Sequence, residues 1–227
     1  MGDPVLRPIT AENPTVSVII PTIPSNDHSN VIAHLESSEY SNFEIIVVED
    51  KTISVCKARN VGLRRANGNI VAFTDDDCEP PSDWLKNIVA HFSDNETLVC
   101  LEGPVGGGLT YNGRQMYPTC NLAVRRDAAL RVGGFREEFE YWREDTEFGW
   151  RLEEVGDFLF SENVRMRHPP QSRSTIVRSN EQRLKREYPR KYERVIVPDT
   201  IHGRVNDWLW RRGFWNAVDR VRYGWFA

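Results

Sequence analysis

A chain of 227 residues, 40% of them hydrophobic, fits one α/β domain or one domain with a C-terminal appendage. No stretch approaches the roughly 18 uninterrupted apolar residues of a membrane-crossing helix, so a helical membrane span is not expected. The net charge of −4 is unevenly spread: residues 163–227 hold 15 basic and 6 acidic side chains, a net of +9, against −13 for the remainder. An acidic body with a basic tail suggests an anionic partner for the tail: lipid headgroups, a phosphorylated acceptor or another protein, with no nucleic acid expected.

Residues 1–14 are polar and Pro-rich and read as a lead-in. Residues 16–20 form a strand ended by Pro21-Thr22, and residues 25–27 can cap a helix through Val31, Ile32 and Leu35. Residues 43–48 form a second strand with Glu49-Asp50 at its carboxyl end. Residues 54–66 read as a helix closed by Asn67-Gly68, and residues 70–74 as a third strand. Strand, helix, strand, helix, strand implies parallel pairing with crossovers. A helix over 84–92 and a strand over 98–101 follow. The glycine-rich stretch 103–108 lacks the Lys-Ser/Thr of a phosphate loop and reads as a loop. A short helix over 128–132 is closed by Gly133-Gly134, and residues 158–160 and 164–168 look like strands before Pro169-Pro170. Cys56, Cys78, Cys100 and Cys120 form no CxxC pair, so reduced, mostly buried thiols and a cytoplasmic location are expected.

The third strand carries the main chemical signal. Residues 70–74 are apolar or β-branched, as in a strand buried on both faces, and Asp75-Asp76-Asp77 follows at once. Pro80-Pro81 stops the ladder, and Ser82-Asp83 stands where a helix begins. Three acids are thereby delivered to the carboxyl edge of the sheet, where open α/β sheets bind ligands. Adjacent carboxylates stay ionised together only in water or around a cation. Mg²⁺ and Mn²⁺ take such oxygen ligands and leave positions for phosphates. The other reading is an acidic loop before a helix N-terminus. Cys78 adjoins the acids, but a hard cation does not choose sulfur.

A second signal lies in residues 142–152. With Asp145 in the first turn of a helix, Phe148 and Leu152 fall three and seven residues on, along the same face. A carboxylate on an apolar face is costly unless it faces a pocket. The alternative is a capping acid paired with Arg143 or Arg151. Beyond Pro170 the chain turns basic and helical over 181–192. Residues 205–226 then carry Trp208, Trp210, Phe214, Trp215, Val218, Val221 and Trp225, with Arg211, Arg212, Arg220 and Arg222 on the polar side. That pattern suits an interfacial helix at a membrane, or a helix packed on this domain or on a second subunit.

In their order and spacing these stretches resemble the family 2 glycosyltransferases over residues 15–170. The resemblance rests on Val16-Ser17-Val18-Ile19-Ile20-Pro21-Thr22, on 43–50, on Lys57-Ala58-Arg59-Asn60-Val61-Gly62, and on Ala66-Asn67-Gly68. Thr74-Asp75-Asp76-Asp77, Gly133-Gly134-Phe135 and Glu144-Asp145 before Phe148 complete it. It implies a GT-A fold: a Rossmann-like α/β domain with a mostly parallel central sheet flanked by helices, here over 15–170, and a helical extension over 171–227. It implies an inverting enzyme that uses a nucleotide-sugar donor, a UDP-sugar first and a GDP-sugar second, with Mn²⁺ or Mg²⁺. By the same resemblance Pro21, Thr22 and Ile23 line the nucleobase and Asp50 accepts a hydrogen bond from it, with Glu49 nearby. Arg59 sits near the base or diphosphate. Asp77 binds the metal, while Asp75 and Asp76 contact ribose or metal-bound water, Asp75 being also a candidate metal ligand. Asp145 is the general base and Glu144 its neighbour, and His168 stands where some members add a metal-ligating histidine. Lys51-Thr52 departs from the family's small residues at that place.

The expected acceptor is a glycan or a lipid-linked molecule, and the tail is expected to meet a membrane surface or second subunit, placing the protein peripherally at the cytoplasmic face. Two rivals compete. A nucleotidyltransferase would carry a glycine- and lysine-rich loop where this chain has Pro21-Thr22-Ile23-Pro24. An inactive adaptor on the same fold would have lost an acid, whereas Asp75, Asp77 and Asp145 are all present.

Overall fold

The computed structural model describes residues 4–108, 114–170 and 177–196, with scattered positions between 201 and 221. A seven-stranded sheet forms its centre, in the order β1 (Val5–Leu6), β3 (Phe43–Glu49), β2 (Val16–Thr22), β4 (Ile70–Phe73), β7 (Leu122–Arg125), β5 (Leu98–Glu102), β8 (Asp157–Phe160). Five of the seven strands run the same way; β1 and β7 run against them.

The sequence dictates this sheet through double burial. In β2, Val16, Val18 and Ile20 pack on one face with α1 (Ser29–Glu36) and α3 (Trp84–Asp94). Ile19 packs on the other face with α2 (Val55–Arg65), α4 (Arg126–Arg131) and α5 (Glu144–Leu152). In β4, Ile70 and Ala72 go to the first face and Val71 and Phe73 to the second. Helices on both faces thus explain an unbroken apolar run, since each buried Val or Ile contributes roughly 1.5–3 kcal/mol. Gly62 lets α2 lie against β2, because a Cβ there would stand 2.5 Å from Ile19 Cγ2. Ser54 caps α2, its Oγ accepting from the Lys57 amide at 3.2 Å.

Three elements differ from the sequence reading. The lead-in joins the sheet: Val5 and Leu6 pair with Val48 and Val47, and Arg7 pairs with the buried carboxylate of Glu44. Glu44 also accepts from Ser17 Oγ and the Asn67 amide, both at 2.7 Å, so its burial is compensated. The strand β7 is four residues long and runs directly from the 3-10 turn Thr119–Asn121 into α4, which hid it in the sequence. The glycine-rich loop contributes one strand of a second small sheet, β6 (Val105–Gly106), which pairs in parallel with β9 (Met166–Arg167).

The basic helical stretch is cut by Pro189 into α6 (Arg178–Glu187) and α7 (Pro189–Val195), whose Leu184 and Tyr192 are buried in the core. Further on, Phe214, Val218 and Val221 are helical, with Phe214 and Val221 exposed. Trp210, Trp215, Trp225, Arg211, Arg220 and Arg222 lie outside the described residues. Among the described residues no helix is long and apolar enough to cross a membrane. All four cysteines are buried thiols.

Candidate active site

The site lies at the carboxyl ends of β2, β3 and β4. Register places Thr22 opposite Glu49, and the Thr74 amide donates to Ile19 O at 3.2 Å, so the acids after β4 emerge beside the end of β2. There Asp76 Oδ2 accepts from Thr22 Oγ1 at 2.5 Å and from Asn26 Nδ2 at 2.9 Å. The Asp50 amide donates to Thr22 O at 3.2 Å. Asp50 Oδ1 accepts from the Thr52 hydroxyl at 2.6 Å and its amide at 2.7 Å, and these bonds hold its carboxyl below the usual range. Pro21 and Thr22 are buried, Ile23 is exposed at the rim and Glu49 is half-buried beside them.

The third acid faces a histidine. His168 Nε2 lies 3.4 Å from Asp77 Oδ1 and 3.9 Å from Asp75 Oδ2. Its Nδ1 lies 2.8 Å from Pro169 O, which can only accept, so Nδ1 donates there and Nε2 is the ring nitrogen turned to the acids. The backbone delivers His168 here through two pairings. The Glu79 amide donates to Arg167 O and the His168 amide to Gly106 O, both at 2.8 Å. Close approach requires the glycines: at Gly108 a Cβ would meet Pro170 N at 2.3 Å, and Gly107 has φ +109. The imidazole nitrogen thus lies within 4 Å of a carboxylate oxygen from each of two acids, ligand types that a divalent cation takes. The Thr74 hydroxyl, next to the acids, is buried with no hydrogen-bond partner among the described residues. That is the kind of group a bound ligand satisfies.

Arg59 links this cluster to α5. Its guanidinium lies 3.4 Å from Asp75 Oδ1 and 3.2 Å from Glu144 Oε1, stacked 5.6 Å from the Phe135 ring centroid. The Phe135 amide donates to Asn60 Oδ1 at 2.7 Å, and Asn60 Nδ2 returns a bond to Phe135 O at 2.8 Å. The motif around Arg59 and the Gly133-Gly134-Phe135 turn are therefore one unit that aims a buried cation between two acids.

Asp145 sits in the first turn of α5, above the buried Phe148 and Leu152. Neither arginine that could neutralise it does so by direct pairing: Arg143 pairs with Glu181 at 3.0 Å and Arg151 with Glu147 at 2.7 Å. Burial, and then the neighbouring Glu144 carboxylate, push the Asp145 carboxyl up to about 7. Its Oδ1 accepts from the Thr146 amide at 2.6 Å and from Thr146 Oγ1 at 3.2 Å. Thr146 Oγ1 also lies 3.0 Å from Met116 O. Thr146 and Asn26 had no signal in the sequence: each acts through a tertiary contact rather than a motif.

The structure thus gathers Thr22, Asp50, Arg59, Asp75, Asp76, Asp77, Glu144, Asp145 and His168 along one sheet edge. Known proteins give the same direction. The model of Glycosyl transferase family 2 matches residues 24–151. Glycosyltransferase AglE of Haloferax volcanii is 33% identical over 132 residues, 49% of this chain and 42% of that protein. A pre-mycofactocin glycosyltransferase of Mycobacterium tuberculosis is 30% identical over 149 residues, 53% of this chain and 32% of that protein. The matches therefore span less than half of each of these curated relatives. Among solved structures, S. aureus TarS 1-349 in complex with UDP-GlcNAc superposes with a TM-score of 0.61 at 16% identity, over 92% of this chain and 73% of that one. The mannosyltransferase PcManGT of Pyrobaculum calidifontis, in complex with GDP-Man and Mn2+, gives 0.58 at 15% identity over 97% and 78%. With the family model covering more than half of its length, this chain belongs to glycosyl transferase family 2, and it has the GT-A fold.

Proposed function

We propose that the protein is a metal-dependent inverting glycosyltransferase, moving a sugar from a nucleotide-diphosphate donor to an acceptor hydroxyl by single displacement. The observation that carries this reading is the Arg59 bridge. One buried guanidinium touches Asp75 beside a cation-type donor set and Glu144 beside a carboxyl adjusted for proton transfer. Pro21, Thr22 and Ile23 line the nucleobase, Asp50 accepts a hydrogen bond from it with Glu49 alongside, and Asp76 faces the ribose. The donor is a UDP-sugar or a GDP-sugar, in keeping with the UDP-GlcNAc and GDP-Man held by proteins of this fold. The acceptor is a glycan or a lipid-linked molecule. The stretch over 205–226, with Trp208 and Phe214 exposed, meets a membrane surface or a second subunit.

Asp75, Asp77 and His168 would hold Mn²⁺ or Mg²⁺, which would supply Lewis-acid stabilisation of the diphosphate charge that grows as the glycosidic bond breaks. Asp145 accepts the acceptor hydroxyl's proton as that oxygen attacks the anomeric carbon from the face opposite the diphosphate. Thr146 holds Oδ1 of Asp145, which leaves Oδ2 as the proton acceptor. Arg59 holds Glu144 in place and offsets part of the charge the two adjacent acids accumulate. No covalent enzyme intermediate forms. The test is a transfer and donor-hydrolysis assay with and without Mn²⁺ on wild type, Asp145→Asn and Asp77→Ala. Asp145→Asn is expected to abolish transfer yet bind donor, and Asp77→Ala to lose metal-dependent donor binding. Full turnover by Asp145→Asn, or an unchanged metal titration in Asp77→Ala, overturns the corresponding role.

A further inference from the structure

Cys78 directly follows the three acids, and its position adds a chemistry that oxygen ligands do not explain. Its Sγ, Asp77 and His168 each place one ligand atom within 4.8 Å of the others. A second such group, Asp75, Cys78 and Cys120, shares the same sulfur. Cys78 and His168 are buried, while the Asp77 side chain keeps 32% of its exposure. Mg²⁺ has no use for the sulfur. A thiophilic cation does: zinc binds nitrogen and carboxylate oxygen at about 2.0–2.2 Å and thiolate at about 2.3 Å, tetrahedrally. Two such nitrogen and oxygen bonds at a tetrahedral angle hold their donor atoms about 3.4 Å apart. His168 Nε2 and Asp77 Oδ1 have that separation, 3.4 Å, Nε2 being the ring nitrogen turned to the acids.

We propose that Asp77, Cys78 and His168 form a site for a thiophilic divalent cation of the Zn²⁺ class. Asp77 and His168 are also ligands in the proposed catalytic set, so Zn²⁺ displaces Mn²⁺ from them and arrests transfer; that consequence rests on the function proposed above. Binding forms one metal–sulfur bond and breaks the Cys78 S–H bond, releasing that proton to solvent, with no change of oxidation state. The fourth position goes to water or to a donor oxygen.

Cobalt(II) is the probe, because it takes zinc sites and its thiolate complexes absorb in the near ultraviolet. One equivalent added to the full chain is expected to give a thiolate-to-cobalt charge-transfer band that excess Zn²⁺ bleaches. Cys78→Ser should lose the band and Cys120→Ser keep it. X-ray absorption on the wild-type chain with one equivalent of Zn²⁺ needs no variant, and should show one sulfur at about 2.3 Å. A spectrum with only nitrogen and oxygen neighbours, or a cobalt band that survives Cys78→Ser, overturns the site. Mn²⁺-dependent transfer alongside such a result leaves the glycosyltransferase reading standing. A Cys78-dependent band in a chain that transfers no sugar with Mn²⁺ overturns that reading and keeps the site.

Discussion

His168 Nε2 lies 3.4 Å from Asp77 Oδ1, although one residue follows β4 and the other follows β9. The histidine is buried and its ring is fixed by Pro169 O. A histidine so held loses little on meeting a cation, because its orientation is already set. His168→Ala is expected to weaken Mn²⁺ binding by at least about 10-fold, read from the signal of unbound Mn²⁺ in electron paramagnetic resonance. Wild-type affinity in that variant removes His168 from the cation site.

Asp145 gives a pH prediction with a definite sign. A general base works ionised, and the carboxyl is pushed up to about 7, so transfer should rise as pH passes through that value and level off above it. Stability runs the other way. A carboxyl whose folded value lies above its unfolded value of about 3.9 favours the folded state when protonated and opposes it when ionised. Asp145→Asn should therefore melt above wild type at pH 8, and the gap should close as pH falls from about 7 towards about 4. An equal gap at both ends of that window contradicts the burial of this charge.

Much of this site was legible in the sequence because it rests on local rules. A doubly buried strand followed at once by Asp75, Asp76 and Asp77 fixes which sheet edge receives the acids. The spacing from Asp145 to Phe148 and Leu152 fixes the face from which the carboxyl projects. What was not legible depends on contacts between distant segments. The position of His168 relies on β6 and β9, two residues each, whose pairing no periodicity announces. The antiparallel β7, the Val5–Leu6 edge and the Arg59 bridge are hidden for the same reason: each is defined by a partner far away in the chain.

The segment before α5 is held in a strained conformation by α6. Tyr141 and Arg143 have φ of 68 and 69, left-handed values that cost a side-chain-bearing residue energy. Asn180, from α6, holds them there: its Nδ2 donates to Glu140 O and Trp142 O, each at 3.1 Å. Asn180→Ala removes both bonds at a half-buried turn. It should cost about 1–3 kcal/mol in urea unfolding and lower transfer by loosening the approach to Asp145, with Mn²⁺ affinity unchanged. Lowered Mn²⁺ affinity in this variant would mean that the cation site, and not the α5 approach, depends on the clamp.

The glycines at β6 separate two explanations of how His168 reaches the acids. At Gly107, φ is +109, and a Cβ would stand 2.8 Å from Arg167 Cγ and 2.9 Å from His168 O. At Gly106 an added Cβ meets nothing within 4 Å. If the β6–β9 pairing positions the histidine, Gly107→Ala must either strain the turn, at about 1–3 kcal/mol, or push the β9 backbone away from Asp77. Mn²⁺ binding should then fall in Gly107→Ala, though no ligand has been touched, and stay within about twofold of wild type in Gly106→Ala. If instead His168 is held by Pro169-Pro170 alone, both variants will bind Mn²⁺ alike, and the glycine run reverts to a simple connection between β5 and the strands beyond it.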